Sequence, residues 1–244
     1  EVYAVEMDPA DNNRVYAAMM GSIYRTTDGG NTWAQTGNAA FQAQDLWGKD
    51  IKIAPGSGTL WAATNDGLYR STDNGDNWTE MLFGDFQEIE FHPVNSEVMY
   101  VIRQSGVRTE FYRSINGGAT FLLQSGGWPV PTGGAENKRA EIAVSPAAPN
   151  KVYALLTGEV NGGSGLYGIY VSEDMGSTWT FSCCGDQPGG PASLNNINMM
   201  AWADDGTDDG GQYYYDLALA VSPTNADQVF VGGVNMWVSN DGGN

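Results

Sequence analysis

One short pattern recurs along this chain and constrains the fold more than any other feature. A Ser or Thr is followed two residues on by Asp or Asn, two further on by Gly, and three beyond that by an aromatic residue. The copies stand at Thr26, Asp28, Gly30 and Trp33, and at Ser71, Asp73, Gly75 and Trp78. A third reads Ser114, Asn116, Gly118 and Phe121, and a fourth Ser172, Asp174, Gly176 and Trp179. A fifth opens with Ser239, Asp241 and Gly243. Self-similarity at such a period signals an array of one supersecondary unit.

Three short strands precede each copy. The first is an alternating segment closed by Pro: Val5–Pro9, Ile51–Pro55, Ile89–Pro93, Ile142–Pro146 and Leu219–Pro223. The second reads Val15-Tyr16-Ala17, Leu60-Trp61-Ala62, Met99-Tyr100-Val101, Val152-Tyr153-Ala154 and Val229-Phe230-Val231. The third is Ile23-Tyr24-Arg25, Leu68-Tyr69-Arg70, Phe111-Tyr112-Arg113, Ile169-Tyr170-Val171 and Met236-Trp237-Val238. The aromatic of each box starts a fourth strand. A box side chain satisfies backbone N–H groups that the corner leaves without ladder partners, and Gly supplies the positive φ of the tight turn. One such sheet cannot bury both faces alone, so neighbours must stack.

The chain therefore resembles the Asp-box, or BNR-repeat, β-propellers, a group that includes sialidases, sortilin-type receptors and xyloglucanase-type glycosidases. The resemblance implies an all-β propeller of four-stranded antiparallel blades, with repeats near 1–40, 46–83, 86–125, 139–183 and 215–244. The box residues Asp28, Trp33, Asp73, Trp78, Asn116, Phe121, Asp174, Trp179 and Asp241 are expected to be structural, not catalytic. Spacings between box acids (or Asn116) are 45, 43, 58 and 67 residues, against roughly 40–50 for a plain blade. The excess is expected to be loop. Propellers close with about four to eight blades, so the sequence reads as a fragment whose parent chain completes the ring.

The resemblance places ligands on the face opposite the boxes. Segments 34–50, 122–141, 157–168 and 180–218 lengthen that face, and long loops on a rigid scaffold are where binding resides. Trp47, Trp128, Trp202, Tyr213, Tyr214 and Tyr215 are their expected ligand aromatics, suited to stacking on sugars or gripping peptides. Asp45 and Asp216 each stand directly before an innermost strand, the placement of a catalytic Asp in the xyloglucanase-type glycosidases, and glycoside hydrolysis needs two carboxylates. Asp205, Thr207, Asp209 and Asp216 follow the alternating oxygen order of a calcium loop, with Gly210 at its sixth position. A solvated acidic loop explains the same letters.

Cys183 and Cys184 are the only cysteines. Adjacent Cα atoms lie about 3.8 Å apart, below the usual disulfide range, so the alternatives are a strained vicinal bridge, two thiols, or bridges to other parts of a longer chain. Three arginines grip the substrate in sialidases, but Arg25, Arg70 and Arg113 occupy the repeated third strand and read as scaffold. His92, the single histidine, also falls on a repeat position, so no Ser–His or Cys–His pair is expected. The net charge of −18 disfavours nucleic acid as a partner, and no apolar run is long enough to insert in a membrane. The expectation is a secreted or cell-surface module binding protein or glycan, with a β-glucan hydrolase as the alternative.

Overall fold

The computed structural model describes residues 1–160, 163–184, 197–208 and 210–243. It is all-β apart from one helical turn, and its contacts divide it into two compact units, Glu1–Phe91 and His92–Asn244.

The first unit contains β1 (Val2–Met7), β2 (Val15–Thr26), β3 (Ala34–Gln35), α1 (Ala39–Gln42), β4 (Leu46–Ile53), β5 (Leu60–Thr64), β6 (Gly67–Ser71), β7 (Thr79–Phe83) and β8 (Asp85–Phe91). Strands β4 to β7 pair in order, all antiparallel, as one four-stranded sheet. The expected second and third strands of the first repeat form one continuous element, β2. Their boundary survives at Gly21, whose φ is 98°. Met20 and Gly21 extend the ladder by pairing with Trp47 and Leu46 of β4. The core gathers Tyr16, Ile23, Phe41, Leu46, Ile51 and Tyr69, with Trp78 packed against it.

The second unit contains β9 (Met99–Ser105), β10 (Arg108–Ser114), β11 (Leu122–Leu123), β12 (Arg139–Val144), β13 (Val152–Val160), β14 (Gly163–Ser172), β15 (Thr180–Cys183), β16 (Ala218–Val221), β17 (Val229–Gly232) and β18 (Met236–Ser239). Strands β9 to β11 pair in order, antiparallel, β12 to β15 form an antiparallel four-stranded sheet, and β16 to β18 form a three-stranded one. Segment 157–168, expected to be loop, is largely the continuation of β13 and β14 as a long hairpin. Alternating residues explain it: Leu156 and Leu166 are buried in different clusters, so strand burial extends well past the repeat.

All five boxes are built alike. The Ser or Thr hydroxyl donates to the box Asp or Asn at 2.7–2.9 Å and accepts the N–H of the box Gly at 2.7–3.0 Å. In the first four, the same acid oxygen accepts the N–H of the residue before the aromatic, at 2.8–3.0 Å. That second bond fixes the spacing between acid and ring. Two successive left-handed residues make the corner, as at Gly29 and Gly30 or Asn74 and Gly75.

Two of the third-strand arginines, Arg25 and Arg113, tie one repeat to the box of the next. Arg25 pairs with Asp76 at 2.9 Å, and Arg113 donates to the Met175 carbonyl and the Ser177 hydroxyl at 2.9 and 2.6 Å. His92 is likewise a scaffold residue. Its Nδ1 accepts the N–H two residues on, as do Asp8, Ser145 and Ser222 at the equivalent positions.

Candidate functional site

In the first unit, the chain enters β4 through α1. Asn38 caps this turn by accepting from the N–H groups of Ala40 and Phe41, and Phe41 is driven into the core. The exit leaves Asp45 exposed and Trp47 with 43% of its surface open. Trp47 is held by its backbone: its N–H donates to the Asn65 side chain at 2.7 Å, and its carbonyl accepts from the Asn65 N–H at 3.1 Å.

Behind this entrance, β1, β4 and β8 carry a cluster of charges that the repeat pattern had disguised. Asp50 is buried, and its carboxylate accepts the N–H groups of Ile51 at 2.8 Å and of Ile89 on β8 at 2.9 Å. Glu6 accepts the Ile53 N–H of β4 in the same manner. Lys52 lies 4.0 Å from Glu90, and the two retain 33% and 26% side-chain exposure. Lys49 pairs with Asp85 nearby.

The electrostatics follow from burial. Desolvation lifts Glu6 and Asp50 above the usual carboxylate range, and it lifts Glu90 to about 7 despite the attraction of Lys52. Burial opposes the charge on Lys52, but Asp50, Glu90, Glu88 and Glu6 together outweigh it and hold the ammonium protonated. Sequence reasoning missed this cluster because the residues occupy strand positions. The available signal was variation at one repeat position, which reads Glu6, Lys52, Glu90, Ala143 and Ala220.

In the second unit, the described residues of segment 197–217 are organised by three side chains, Asn198, Asp208 and Asn235. Asn198 accepts the N–H groups of Leu166 and Met200 at 3.0 and 3.1 Å and donates to the Asp208 and Gly210 carbonyls, both at 3.1 Å. Asp208 accepts the N–H groups of Trp202, Ala203 and Gly210 at 2.7–3.3 Å. Asn235 donates to the carbonyls of Ala201, Trp202 and Ala203. The loop thus has a fixed backbone, from which Trp202, Tyr214 and Tyr215 project with 53%, 48% and 68% exposure. Arg139 at the start of β12 donates to the Tyr214 carbonyl and to Glu141. Asp216 is exposed directly before Leu217 and β16.

Two of the expected ligand aromatics are core residues instead. Trp128 is 7% exposed, stacks on Phe111 at 5.3 Å, meets Trp179 edge-on at 5.0 Å, and donates its Nε1–H to the Thr109 carbonyl at 2.9 Å. Tyr213 is buried beneath Tyr214, their ring centroids 4.0 Å apart. In both cases a long connection folds its ring inward to fill space that the sheets leave.

Of the calcium order, Asp205, Thr207 and Asp216 are among the described residues. Asp205 Oδ1 is taken by the N–H and hydroxyl of Thr207, which also hold its carboxyl below the usual range. Asp209 lies outside the described residues. Among those described, no group of three or more His, Cys, Asp or Glu is placed to hold a metal, and no helix is long and apolar enough to cross a membrane. Cys183 and Cys184 have their sulfurs joined, with Cα atoms 3.7 Å apart.

No family model matches the chain, and no curated protein matches it. Solved structures do match, and they are β-propellers. An ancestral GH74 enzyme superposes with a TM-score of 0.66 at 19% identity, over 96% of this chain and 27% of its own length. An auxiliary nutrient-binding protein from Bacteroides thetaiotaomicron gives 0.58 at 12% identity, over 94% of this chain and 52% of its own. YCF48 from Cyanidioschyzon merolae gives 0.52 at 15% identity, over 99% and 82%. The fold is that of a β-propeller. The chain spans about a quarter of the GH74 enzyme and about half of the nutrient-binding protein.

Proposed function

We propose that this chain is the ligand-presenting part of a secreted or cell-surface propeller that binds glycan or protein through aromatic rings beside its innermost strands. The observation that carries the reading is the 197–217 loop. Its backbone is fixed by Asn198, Asp208 and Asn235, yet Trp202, Tyr214 and Tyr215 stand open on it. Rigid aromatics on a fixed loop lose little entropy on binding and offer broad apolar faces. Exposed Tyr215 and Asp216 before β16 are matched by exposed Asp45 and Trp47 at the entrance to β4.

Affinity electrophoresis through soluble β-glucans and other polysaccharides tests the proposal. Trp202→Ala and Tyr215→Ala are each expected to weaken retention on the order of tenfold. Retention unchanged by both, or absent for every polymer, removes the glycan form of the reading.

A β-glucan hydrolase is the second reading, favoured by the placement of Asp45 directly before β4 and of Asp216 two residues before β16. Among the described residues, no hydrogen bond or ion pair fixes either carboxylate, whereas acid–base catalysis relies on a positioned group. Release of reducing ends from the same β-glucans that is lost in Asp45→Asn and Asp216→Asn supports the hydrolase. No turnover by the unaltered chain eliminates it.

A further inference from the structure

The third repeat departs from its fellows at three positions of its second and third strands. Where it has Arg103, the other repeats have Met19, Thr64, Leu156 and Gly233. Where it has Arg108, they have Met20, Asn65, Leu166 and again Gly233, and where it has Glu110 they have Ser22, Gly67, Gly168 and Asn235. Only the third repeat is charged at any of these places. The others build the same strands without these charges, so the scaffold does not require them.

The hairpin of β9 and β10 brings the three together. Glu110 stands directly opposite Arg103 in the ladder, and Arg108, Glu110 and Tyr112 alternate along β10, so all four side chains share one face. The Glu110 side chain is 11% exposed, whereas Arg103 and Arg108 keep 31% and 42%. Arg108 donates to Glu110 Oε1 at 3.1 Å, and the Tyr112 hydroxyl donates to Oε2 at 3.2 Å. Arg103 is left 3.6 Å from Oε2, beyond hydrogen-bond reach, and its Nη1 donates to the Tyr112 hydroxyl at 3.3 Å. The Nε–H of Arg103 is buried with no acceptor among the described residues.

Two guanidiniums thus share one carboxylate, in a chain whose net charge is −18. Other arginines are matched closely: Arg25 to Asp76 at 2.9 Å, Arg113 to Ser177 Oγ at 2.6 Å, and Arg139 to Glu141 at 3.0 Å. A buried N–H without an acceptor is costly, and a second positive charge beside Glu110 is left without a counter-ion. A further carboxylate relieves both, and the guanidinium fork is shaped to take it. One short segment ties this hairpin to the exposed rings. The Asn137 N–H donates to the Val107 carbonyl at 3.0 Å, the Asn137 side chain accepts the Thr109 N–H at 2.8 Å, and two residues on Arg139 donates to the Tyr214 carbonyl.

We propose that Arg103 and Arg108 form a carboxylate subsite, and that the polymer this protein binds is an acidic polysaccharide whose uronate units dock there. The subsite rests on the glycan reading of the aromatic loop and adds to it the class of glycan bound.

Retention on immobilised polygalacturonate is compared with retention on its methyl ester, which keeps the ring and the linkage but not the charge. The unaltered chain is expected to bind the acid polymer on the order of tenfold more tightly, as for one charge-assisted hydrogen bond. Arg103→Gln and Arg108→Gln are each expected to remove most of that preference. Equal retention on the two polymers, or a preference that survives both substitutions, overturns the subsite. Retention on neutral β-glucans with no such preference sinks the subsite and spares the glycan reading, whereas retention on no polysaccharide removes both. Polyglutamate held as strongly as polygalacturonate assigns the carboxylate to a protein ligand and also overturns it. Should the variants fail to fold, the unaltered chain with isotope-labelled arginine is titrated with galacturonate. A saturable shift of arginine Nε–H signals that the methyl ester does not produce supports the subsite, and no shift at the highest soluble uronate refutes it.

Discussion

The box turns and the innermost strands use the same side chain to opposite electrostatic effect. In the boxes Asp28, Asp73 and Asp174 lie near solvent with both oxygens bonded by hydroxyl or amide donors. The Thr32 bonds bring Asp28 to about 2, and the Asn77 bonds lower Asp73. At Asp174 burial acts the other way, and the Thr178 bonds outweigh it. On the innermost strands Glu6, Asp50 and Glu90 also accept backbone N–H groups, yet desolvation prevails and all three rise. A carboxylate's behaviour here is set by how much water it keeps, more than by the number of donors it finds.

The largest expected effect is at Asp50. Asp50→Ala strands the Ile89 N–H inside the protein and removes a link between β4 and β8, costing about 2–4 kcal/mol. On a domain of this size that is a fall of roughly 5–15 °C in melting temperature. A loss no greater than that of an exposed box acid would break the distinction between the two regions.

The two regions also respond to pH with opposite sign. Glu90 has a raised folded pKa, from 4.5 to about 7, so the folded state holds its proton longer than the unfolded chain. Its contribution is full below about 4.5 and is lost as pH rises through about 7, at most about 3 kcal/mol by linkage. Denaturant titrations between pH 5 and 8 are expected to show this decline, and Glu90→Gln should flatten it. An unchanged slope in the variant would assign the effect to another group.

The box acids give the smallest and reverse trend. Their depressed pKa values contribute stability above about 4 that disappears as pH falls toward 2. Asp174→Ala is expected to cost about 1 kcal/mol at neutral pH, like the loss of a helix cap. Asp174→Asn should cost less and be insensitive to acid, because Asn116 already builds its own box with the same bonds. Equal losses for Ala and Asn would show that the charge, not the geometry, carries the turn.

Much of the fold was legible because it repeats. The alternation of Ile51-Lys52-Ile53, the Pro that closes each first strand and the fixed Ser-x-Asp-x-Gly spacing are local rules, and each copy checks the others. The scaffold roles of Arg25, Arg113 and His92 were legible for the same reason. The candidate site was read less well. Trp47, Trp202, Tyr214 and Tyr215 are exposed as expected, but Trp128 and Tyr213 are core. Trp128 stands between Gly127 and Pro129 and Tyr213 between Gln212 and Tyr214, and nothing local distinguishes a ring that faces water from one that turns under its own loop.

By itself the sequence determined the strand pattern, the box turns and the four-stranded sheets, since these depend on hydrogen bonds and periodicities that span only a few residues. Only the tertiary structure decided which rings are buried, which carboxylates lose their water, and that Ile169, Met199 and the Cys183–Cys184 pair surround one cavity. Those outcomes depend on residues brought together from distant repeats, and burial is a property of the assembled neighbourhood that no single segment encodes.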